Sequence, residues 1–274
     1  MKPPLIILDA NNLLHRFFHG RPTEIGREGK NVNAIRGLAA LVGRLWRLFS
    51  PQAIVAAFDA GDSGRSRIFP AYKAHREGTP PELHYQFDLA RRYLPSHYQT
   101  DVVCADGYEA DDVIVTLAGV ATTEGVEVVI VTNDKDLTCI VRDDSPRVTL
   151  YSVGAAGWAQ IDVAAVRDRL GVPPAAVIDY LALCGDTSDG VPGVSGIGPK
   201  TAAELLGKFG DLDTLLAALD DVDVLTRLQV RPRWRDLLMS GREQALLARK
   251  VMSPVRVPAP AIKAGMVMAR RPAP

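Results

Sequence analysis

The segment VEVVIVTNDKD, residues 126–136, is a short run rich in β-branched residues that leads directly into two acids, Asp134 and Asp136. A run of this kind is typical of a β-strand. Segments with helical periodicity, such as Asn33–Phe49 and Glu109–Thr123, lie between most of the similar runs in the chain. Strands that alternate with helices predict an α/β fold with a mostly parallel central sheet flanked by helices. The five predicted strand regions are Leu5–Leu8, Ala53–Phe58, Asp101–Cys104, Val126–Thr132 and Arg147–Tyr151.

The chain changes character after about residue 160, where helices separated by Gly and Pro replace the strands. The last stretch, residues 253–274, has five prolines and no clear periodicity, which predicts an extended tail. Earlier, a long basic insertion that begins near Gly61 predicts a mobile functional loop. We therefore predict an α/β core over residues 1–160 with a basic arch at about 60–95, a helical part over 161–252 and a Pro/Arg-rich tail over 253–274. The predicted helices of the second part are Asp162–Leu170, Pro174–Leu183, Gly198–Phe209, Leu212–Leu219 and Pro232–Ala248.

The charges balance overall but are unevenly distributed. The 274 residues carry 32 Lys+Arg and 32 Asp+Glu, yet residues 227–274 hold 11 basic and only 2 acidic residues. The rest of the chain is correspondingly acidic, which suits a body that binds cations and a C-terminal segment that meets phosphate. Charge counting alone favours a simpler alternative, a solvated surface whose charges compensate each other.

The cysteines and the hydropathy pattern bear on location. Cys104, Cys139 and Cys184 are widely spaced and odd in number, which indicates buried thiols in a reducing compartment. No run of eighteen apolar residues occurs, and the first apolar run, Leu5–Leu8, is too short for a signal-peptide core. We expect a cytoplasmic protein.

Nine acids follow predicted strands or stand in turns. They are Asp9, Asp59, Glu109, Asp111, Asp112, Asp134, Asp136, Asp186 and Asp189. Ligands of parallel α/β sheets bind at the carboxyl ends of the strands, and four separate strands deliver acids to that edge here. Mutual repulsion would raise the pKa values of so many carboxylates unless hard cations such as Mg²⁺ or Mn²⁺ joined them. Such ions suit phosphodiester hydrolysis because they activate water and stabilise the leaving oxygen.

Each acid also has a structural explanation when taken singly. Glu109, Asp111 and Asp112 stand in the first turn of a predicted helix, where acids complement the helix dipole. Asp134 could cap a helix, and Asp189 could belong to a simple turn. The repetition at four strand ends is what favours the metal interpretation. The five histidines show no paired metal spacing, so surface or packing roles are favoured for them.

A glycine-rich segment joins two predicted helices. It reads VPGVSGIGPKTA, residues 191–202, and a helix is expected to start at Pro199. The backbone N–H groups at such a start form an anion site, and Lys200 could add charge to a bound phosphate. The spacing fits neither a dinucleotide-binding fingerprint nor a P-loop. A sequence-independent clamp on a duplex backbone is favoured over a plain helix–turn–helix connection.

Together these segments resemble the 5′-nuclease (flap endonuclease) family, most of all the 5′-nuclease domain of bacterial DNA polymerase I. The resemblance rests on LIILDANNLLHRFFH, VAAFDAG, AYKAHR, GYEADDV, VTNDKDL and LCGDTSDGVPGVSGIGPKTA, in the order of the family and over roughly residues 4–250. It implies a PIN-like nuclease core followed by a helical part with a helix–two-turn–helix element that binds DNA.

The resemblance also implies roles for single residues. It implies that a first metal ion is held by Asp9, Asp59, Glu109 and Asp111, with Asp112 as a further acid of the same motif. It implies that a second is surrounded by Asp134, Asp136, Asp186 and Asp189. The basic residues that it implies at the scissile phosphate are Lys73, Arg65 and Arg16, with Arg67 as a rival to Arg65. The implied nucleic-acid contacts are Tyr72, Arg67, Arg76, Gly196, Gly198, Lys200 and Thr201.

The expected activity is structure-specific hydrolysis of DNA at 5′ flaps and 5′ ends in replication and repair. The resemblance implies two or three Mg²⁺ or Mn²⁺ ions and K⁺ at the helix–two-turn–helix element. The expected partner is branched or 5′-ended duplex DNA, with a DNA polymerase or ligase as a candidate recruiter and a monomer as the expected state. A PIN-like ribonuclease and a junction-binding module without cleavage remain as alternatives.

Overall fold

The computed structural model describes residues 2–76, 78–154 and 157–265. Within these ranges, one sheet has seven strands, and two further short strands form a ribbon. In chain order the strands are β1 (Leu5–Asp9), β2 (Ala53–Ala57), β3 (Thr100–Ala105), β4 (Val128–Val131), β5 (Val148–Gly154), β6 (Gly157–Ile161), β7 (Gly185–Asp186), β8 (Val191–Pro192) and β9 (Ile262–Gly265). The sheet order is β6-β5-β4-β1-β2-β3-β9, and β7 pairs with β8 in the ribbon.

The centre of the sheet is parallel and its edges are antiparallel. Strand β1 pairs in parallel with β2 and β4, and β3 and β5 extend the parallel block outward. Strands β6 and β9 close the two edges in antiparallel pairing. The predicted mostly parallel sheet is confirmed. The sequence pattern did not reveal β6, because an edge strand that is largely exposed needs no apolar run.

Helices cover both faces of the sheet. Within the described ranges they are α1 (Ala10–Gly20), α2 (Asn33–Phe49), α3 (Arg65–Ile68), α4 (Pro81–Tyr98), α5 (Ala110–Thr123), α6 (Val163–Leu170), α7 (Val177–Cys184), α8 (Pro199–Phe209), α9 (Leu212–Ala217), α10 (Val222–Arg227) and α11 (Pro232–Met252). Alternate residues of β1 face opposite ways: Ile6 and Leu8 pack with α1, α2 and α4, whereas Ile7 packs with α5. Each such buried side chain contributes roughly 1.5–3 kcal/mol to folding. No helix in the described residues is long and apolar enough to cross a membrane.

The C-terminal helices pack on the same face of the sheet as α5. Helix α11 lies against α7, and the glycine-rich segment between β8 and α8 packs beside them. Gly193 sits where a Cβ atom would overlap the backbone of Leu183 and Gly185, so only glycine fits this close approach. This packing fixes the β7–β8 ribbon and its turn, which carry Asp186 and Asp189, against the rest of the core.

Two parts of the sequence-based organisation need correction. The predicted extended tail is wrong for residues 253–265, because β9 adds to the edge of β3 and residues 253–257 run along α5; residues 266–274 lie outside the described residues. The insertion after Gly61 is also more ordered than a loop, since it contains α3 and much of α4. Pro81 starts α4, and Leu83, Phe87, Ala90 and Leu94 give that helix a buried face.

Candidate active site

The acids of the candidate site come together at the carboxyl ends of the parallel strands. Asp9 ends β1, Asp59 follows β2, Glu109 caps α5 after β3, and Asp134 follows β4. These four and Asp111 line one cavity of about 740 Å³. A narrow neighbouring cavity shares Glu109 and Asp111 with the first one and adds Asp136 and Asp189. The structure therefore brings the predicted acids to one edge of the sheet.

Asp9 is a buried acid at the floor of this cavity. Its Oδ2 accepts a hydrogen bond of 2.6 Å from the Thr132 hydroxyl, and its Oδ1 caps α1 by accepting from the Asn12 N–H at 3.2 Å. Burial, opposed by the Thr132 hydrogen bond and reinforced by the charge of Asp134, raises the pKa of Asp9 to about 7. Thr132 also accepts from the Asp134 N–H, so one hydroxyl links two acids.

Burial and nearby negative charges disfavour ionisation of three further acids, Asp111, Asp134 and Asp136, as they do for Asp9. Burial, followed by the charges of Asp134 and Asp9, raises the pKa of Asp111. Burial also raises the pKa of Asp134. Burial and the charges of Asp134 and Asp186 raise the pKa of Asp136 to about 8. Among the described residues, none of these acids forms an ion pair, so their charges are neutralised only by protonation or by a bound cation.

Glu109 is held by a fan of donors from the arch. Its carboxylate accepts from the Ser63 hydroxyl at 2.8 Å, from the Tyr72 hydroxyl at 3.0 Å and from the Lys73 ammonium at 2.8 Å. Burial opposes ionisation, but Lys73 and Arg65 hold the pKa of Glu109 below its usual range. Sequence reasoning missed Ser63, and Tyr72 is buried against Glu109 instead of being free to contact nucleic acid.

Asp186 ends β7 and Asp189 lies in the turn between β7 and β8, and both acids are paired with cations. Asp186 Oδ1 lies 2.7 Å from the Lys135 ammonium, which holds the pKa of Asp186 below its usual range although burial opposes this. Asp189 Oδ1 lies 2.5 Å from Nη2 of Arg76. Sequence reasoning missed Lys135, although its position between Asp134 and Asp136 was a signal that it would lie among the acids.

Lys73 connects the arch with two acids of the site, Glu109 and Asp189. Its ammonium lies 2.8 Å from Oε2 of Glu109 and 3.7 Å from Oδ2 of Asp189. Its backbone N–H donates to the Asp189 carbonyl at 2.8 Å, and its φ of 54° lies in the left-handed region. Lys73 also lines the large cavity, so the structure places this predicted residue directly at the candidate site.

Arg65 and Asp112 pair with each other, a contact that their predicted roles did not include. Both are buried, and the Arg65 guanidinium donates to the two carboxylate oxygens of Asp112 at 3.0 and 2.7 Å. An arginine held in this way is not free to reach a phosphate, and an acid held in this way has few lone pairs left for an ion. The rival arginine, Arg67, has a largely exposed side chain that pairs with Asp62.

Arg16 is exposed on α1 and lines a second cavity of about 660 Å³. The two cavities share the wall formed by Asn12, His15 and His19. For His15 and His19 the sequence favoured surface or packing roles; the structure places both in the cavity wall, with their rings stacked 6.2 Å apart. Burial and the nearby His19 lower the pKa of His15.

The glycine-rich hairpin follows directly after the acid turn. Gly196 has a φ of 82°, and a Cβ atom there would lie 3.0 Å from Leu237 of α11. Gly198 caps α8, whose first turn contains Lys200 and Thr201. Helix α8 starts at Pro199, as expected from the sequence. The exposed first turn of α8 thus presents backbone N–H groups and one ammonium.

The donor set fits hard divalent cations. Two buried carboxylate oxygens, Asp136 Oδ1 and Asp186 Oδ2, accept no hydrogen bond from any described residue. Oxygen-only sites of this kind suit Mg²⁺ and Mn²⁺. Within the described ranges, no three His, Cys, Asp or Glu side chains already converge as a closed cage, and the ammonium groups of Lys73 and Lys135 stand among the acids instead. The assignment of individual acids to individual ions stays a prediction.

The chain is similar to curated proteins over most of its length. It is 36% identical to the DNA polymerase I of Bacillus caldotenax over 255 residues, which is 92% of this chain and 28% of that protein. It is also 36% identical to the DNA polymerase I of Mycobacterium tuberculosis over 259 residues, 93% of this chain and 27% of that protein. The chain therefore spans less than a third of the length of these relatives.

Solved structures share the fold at lower sequence identity. A T5 5′-exonuclease with bound zinc ions has a TM-score of 0.75 and 18% identity, covering 91% of this chain and 89% of that chain. The T5 D15 flap endonuclease in complex with DNA and metal ions has a TM-score of 0.71 and 20% identity, covering 91% and 88%. The catalytic core of Rad2 in complex with DNA substrate has a TM-score of 0.59 and 17% identity, covering 93% and 80%.

Two family models match consecutive parts of the chain. Residues 4–171 match the N-terminal resolvase-like domain of 5′-3′ exonuclease, and residues 172–260 match its C-terminal SAM fold. These matches and the 36% identity confirm the family that the sequence motifs indicated. The chain belongs to the 5′-3′ exonuclease family.

Proposed function

We propose that this chain hydrolyses DNA phosphodiesters at 5′ flaps and 5′ ends, and that it does so in replication and repair. The observation that carries the proposal is the cavity in which acids from the ends of β1, β2 and β4 and from the start of α5 meet the Lys73 ammonium. The negative charges of the acids repel a phosphate. Bound divalent cations neutralise these charges and then attract the phosphate. The family matches add independent support.

We infer that two or three Mg²⁺ or Mn²⁺ ions bind among the acids of the candidate site. Asp9, Asp111, Asp134 and Asp136 are the favoured ligands, because burial and mutual repulsion leave their charges unneutralised. Bound divalent ions supply an activated water and charge stabilisation at the leaving oxygen. The protein's own part is to hold these acids in a fixed arrangement and to keep Glu109 ionised beside Lys73.

Lys73 and Arg76 are the arch residues that we expect to orient the scissile phosphate. Lys73 faces the cavity, and Arg76 lines it with a side chain that is 48% exposed. Duplex beyond the junction would rest on the first turn of α8, where Gly198 and Lys200 present donors to a phosphate and where carbonyls of the hairpin could bind K⁺. Recognition is then by duplex shape and backbone contacts, and base edges are not read.

We propose a monomer that acts in the cytoplasm on branched or 5′-ended duplex DNA and that a polymerase or ligase recruits. The similar region of DNA polymerase I in Bacillus caldotenax is part of a longer protein, which supports cooperation with a polymerase. Since phosphate contacts dominate such binding, affinity for DNA should fall steeply between about 50 and 200 mM salt.

The test is cleavage of a 5′-labelled flap duplex by the purified protein in Mg²⁺, in Mn²⁺ and in EDTA, with Asp136→Ala and a matching RNA substrate alongside. The proposal expects metal-dependent release of a short DNA product near the junction and no product from the variant. Preferred cleavage of the RNA would indicate a ribonuclease instead. Tight flap binding without cleavage in either metal would leave a junction-binding protein and would overturn the enzymatic proposal.

A further inference from the structure

The inference concerns Arg65 and rests on the proposed function. Arg65 begins α3 in the basic arch, yet its side chain is only 8% exposed, whereas the side chain of the nearby Arg67 is 80% exposed and that of Arg76 is 48% exposed. An arch arginine that served a passing phosphate would be expected to face solvent or the cavity. The burial of Arg65 points to a role inside the protein.

The guanidinium of Arg65 is fully occupied by protein oxygens. Nη1 and Nη2 donate to the two oxygens of Asp112 at 3.0 and 2.7 Å. Nε donates to the Val251 carbonyl at 2.9 Å, and Nη2 reaches the Ser253 carbonyl at 3.4 Å. Nη1 also lies 3.5 Å from Oε2 of Glu109. A guanidinium has five N–H donors in a rigid planar group, and all three nitrogens of Arg65 contact protein oxygens here.

Asp112, which Arg65 holds in place, also binds the first turn of α5. Its Oδ2 accepts from the Glu109 N–H at 3.1 Å, which closes the capping box of the helix. Its Oδ1 accepts from the Val255 N–H at 2.7 Å. Asp112 is therefore bound at once by the arch, by the start of its own helix and by the segment that follows α11.

The segment Ser253–Val257, named the C-terminal strap, is latched a second time one turn further along α5. The Thr116 hydroxyl donates to the Asp112 carbonyl at 2.7 Å and accepts from the Val257 N–H at 2.9 Å. The strap therefore lies on α5 through two backbone N–H groups, each received by a buried side chain. Acids of the candidate site, Glu109 and Asp111, belong to the same first turn.

We propose that Arg65 is a positioning residue: with Asp112 and the C-terminal strap it fixes the first turn of α5, so that Glu109 and Asp111 point into the acid cavity ready to receive divalent ions. The strap is thus a working part of the site, although it lies far from the acids in sequence. This reverses the role of a phosphate contact that the resemblance implied for Arg65. It also assigns Asp112 to the support of the site, separate from the acids that face the ions.

The experiment compares Arg65→Lys with Arg65→Gln in the full-length chain. The two roles predict opposite results for lysine, which keeps the charge but cannot make the bidentate fork. If Arg65 positions Glu109, both variants should lower kcat on a 5′-flap duplex by roughly 10–100-fold, the usual effect of losing a residue that supports metal ligands, with KM nearly unchanged. If Arg65 contacts phosphate, Arg65→Lys should keep most of the activity.

Two readouts do not depend on cleavage. Calorimetric titration with Mn²⁺ in the absence of DNA should show weaker binding to both Arg65 variants. The salt dependence of flap binding in EDTA should keep the wild-type slope, whereas loss of a phosphate contact would reduce that slope by about one charge. Wild-type Mn²⁺ affinity in Arg65→Lys, or a reduced slope, would overturn the inference. An inactive wild-type protein would instead contradict the proposed function.

Thr116→Val tests the strap without touching the ion pair and covers the case in which an Arg65 variant does not fold. It removes the hydroxyl that receives the Val257 N–H and should weaken Mn²⁺ binding and lower kcat several-fold. Thr122→Val is the matched control on the same helix, because the Thr122 hydroxyl makes the same i−4 bond, to Ala118, with no contact to the strap. The control should stay within about twofold of wild type. Equal effects of the two threonine variants on Mn²⁺ binding and kcat would contradict the proposed role of the strap.

Discussion

The acids of the site fall into two electrostatically different halves. The unpaired half, Asp9, Asp111, Asp134 and Asp136, forms no ion pair among the described residues, and the pKa of each member is raised. The paired half, Glu109, Asp112, Asp186 and Asp189, is held by Lys73, Arg65, Lys135 and Arg76. Asp59 stands apart from both halves, exposed at the rim of the cavity.

The difference shows how one cavity can contain so many carboxylates. The protein's own cations neutralise the charges of the paired half, and these ion pairs keep the surrounding turns in place. The unpaired half stores repulsion that a divalent cation can relieve. We therefore assign binding of ions mainly to the unpaired half and the shaping of the site mainly to the paired half.

The largest effect is expected from removing one charge in each half. Both Asp136→Asn and Asp186→Asn should lower the cleavage rate by about 1,000-fold, equal to roughly 4 kcal/mol of transition-state stabilisation. Their effects on stability in EDTA should be opposite. Asp136→Asn relieves repulsion and should raise Tm, whereas Asp186→Asn leaves Lys135 without its partner and should lower Tm.

Single-turnover cleavage and thermal unfolding of the two variants provide the measurements. Asp168→Asn, which changes an exposed acid on α6, is the control and should alter neither quantity. A fall in the Tm of Asp136→Asn in EDTA would show that this acid is stabilised by contacts, and the division into two halves would then be wrong.

A smaller effect is expected at the residue that joins the halves. Lys73→Met removes the cation that lies 2.8 Å from Glu109 and 3.7 Å from Asp189. Cleavage should fall by about 100-fold, the scale of one lost electrostatic donor. Lys73→Arg keeps the charge and should recover part of this loss. Rates measured at saturating Mg²⁺ test the prediction, and equal loss in both variants would argue that the positive charge of Lys73 is not what the site requires.

The stability of the metal-free protein should depend on pH through the unpaired half. An acid whose pKa is raised by folding destabilises the fold as pH rises from its ordinary pKa through its folded pKa. For Asp9 and Asp136 the folded pKa values are about 7 and about 8. In EDTA, Tm should therefore fall by several degrees between about pH 6 and pH 9, and saturating Mg²⁺ should raise Tm more at the higher pH. An equal increase at both pH values would contradict ion binding by these acids.

Much of the fold could be predicted because its signals are local. Each central strand is a short run of branched apolar residues, and an acid at the end of such a run has to lie at the carboxyl edge of a parallel sheet. The acids that end or follow β1, β2, β3 and β4 could be placed from this topology, whereas Asp186 and Asp189 belong to the separate β7–β8 ribbon. The start of α8 at Pro199 was likewise predicted, since proline suits the first helical turn.

The rest depended on contacts between distant segments. Arg65 meets Val251 and Ser253, which lie 186 and 188 residues away in sequence, and nothing near Arg65 indicates that it would be buried. The strand β9 stands in a proline-rich segment that looks like a tail because an edge strand needs only one partner to pair with. Lys135 could be located by position, but its choice of Asp186 over the adjacent acids required the fold.

The smallest predicted effect concerns Lys135, the cation of the paired half that contacts Asp186. An acid whose pKa is lowered by folding stabilises the fold above its ordinary pKa and loses that contribution as pH falls through its folded pKa. Lys135→Met should therefore lower the free energy of unfolding by about 1 kcal/mol near pH 7, the scale of a partly exposed ion pair, and by much less in acid. Urea unfolding in EDTA measures this difference, with Arg36→Met, which breaks the surface pair to Glu24, as a control of smaller effect.

Addition of Mg²⁺ to the same two proteins then tests the division into two halves most finely. If an ion also reaches Asp186, it should take over the role of Lys135 and close the gap between variant and wild type, whereas a gap that persists would confine the ions to the unpaired half.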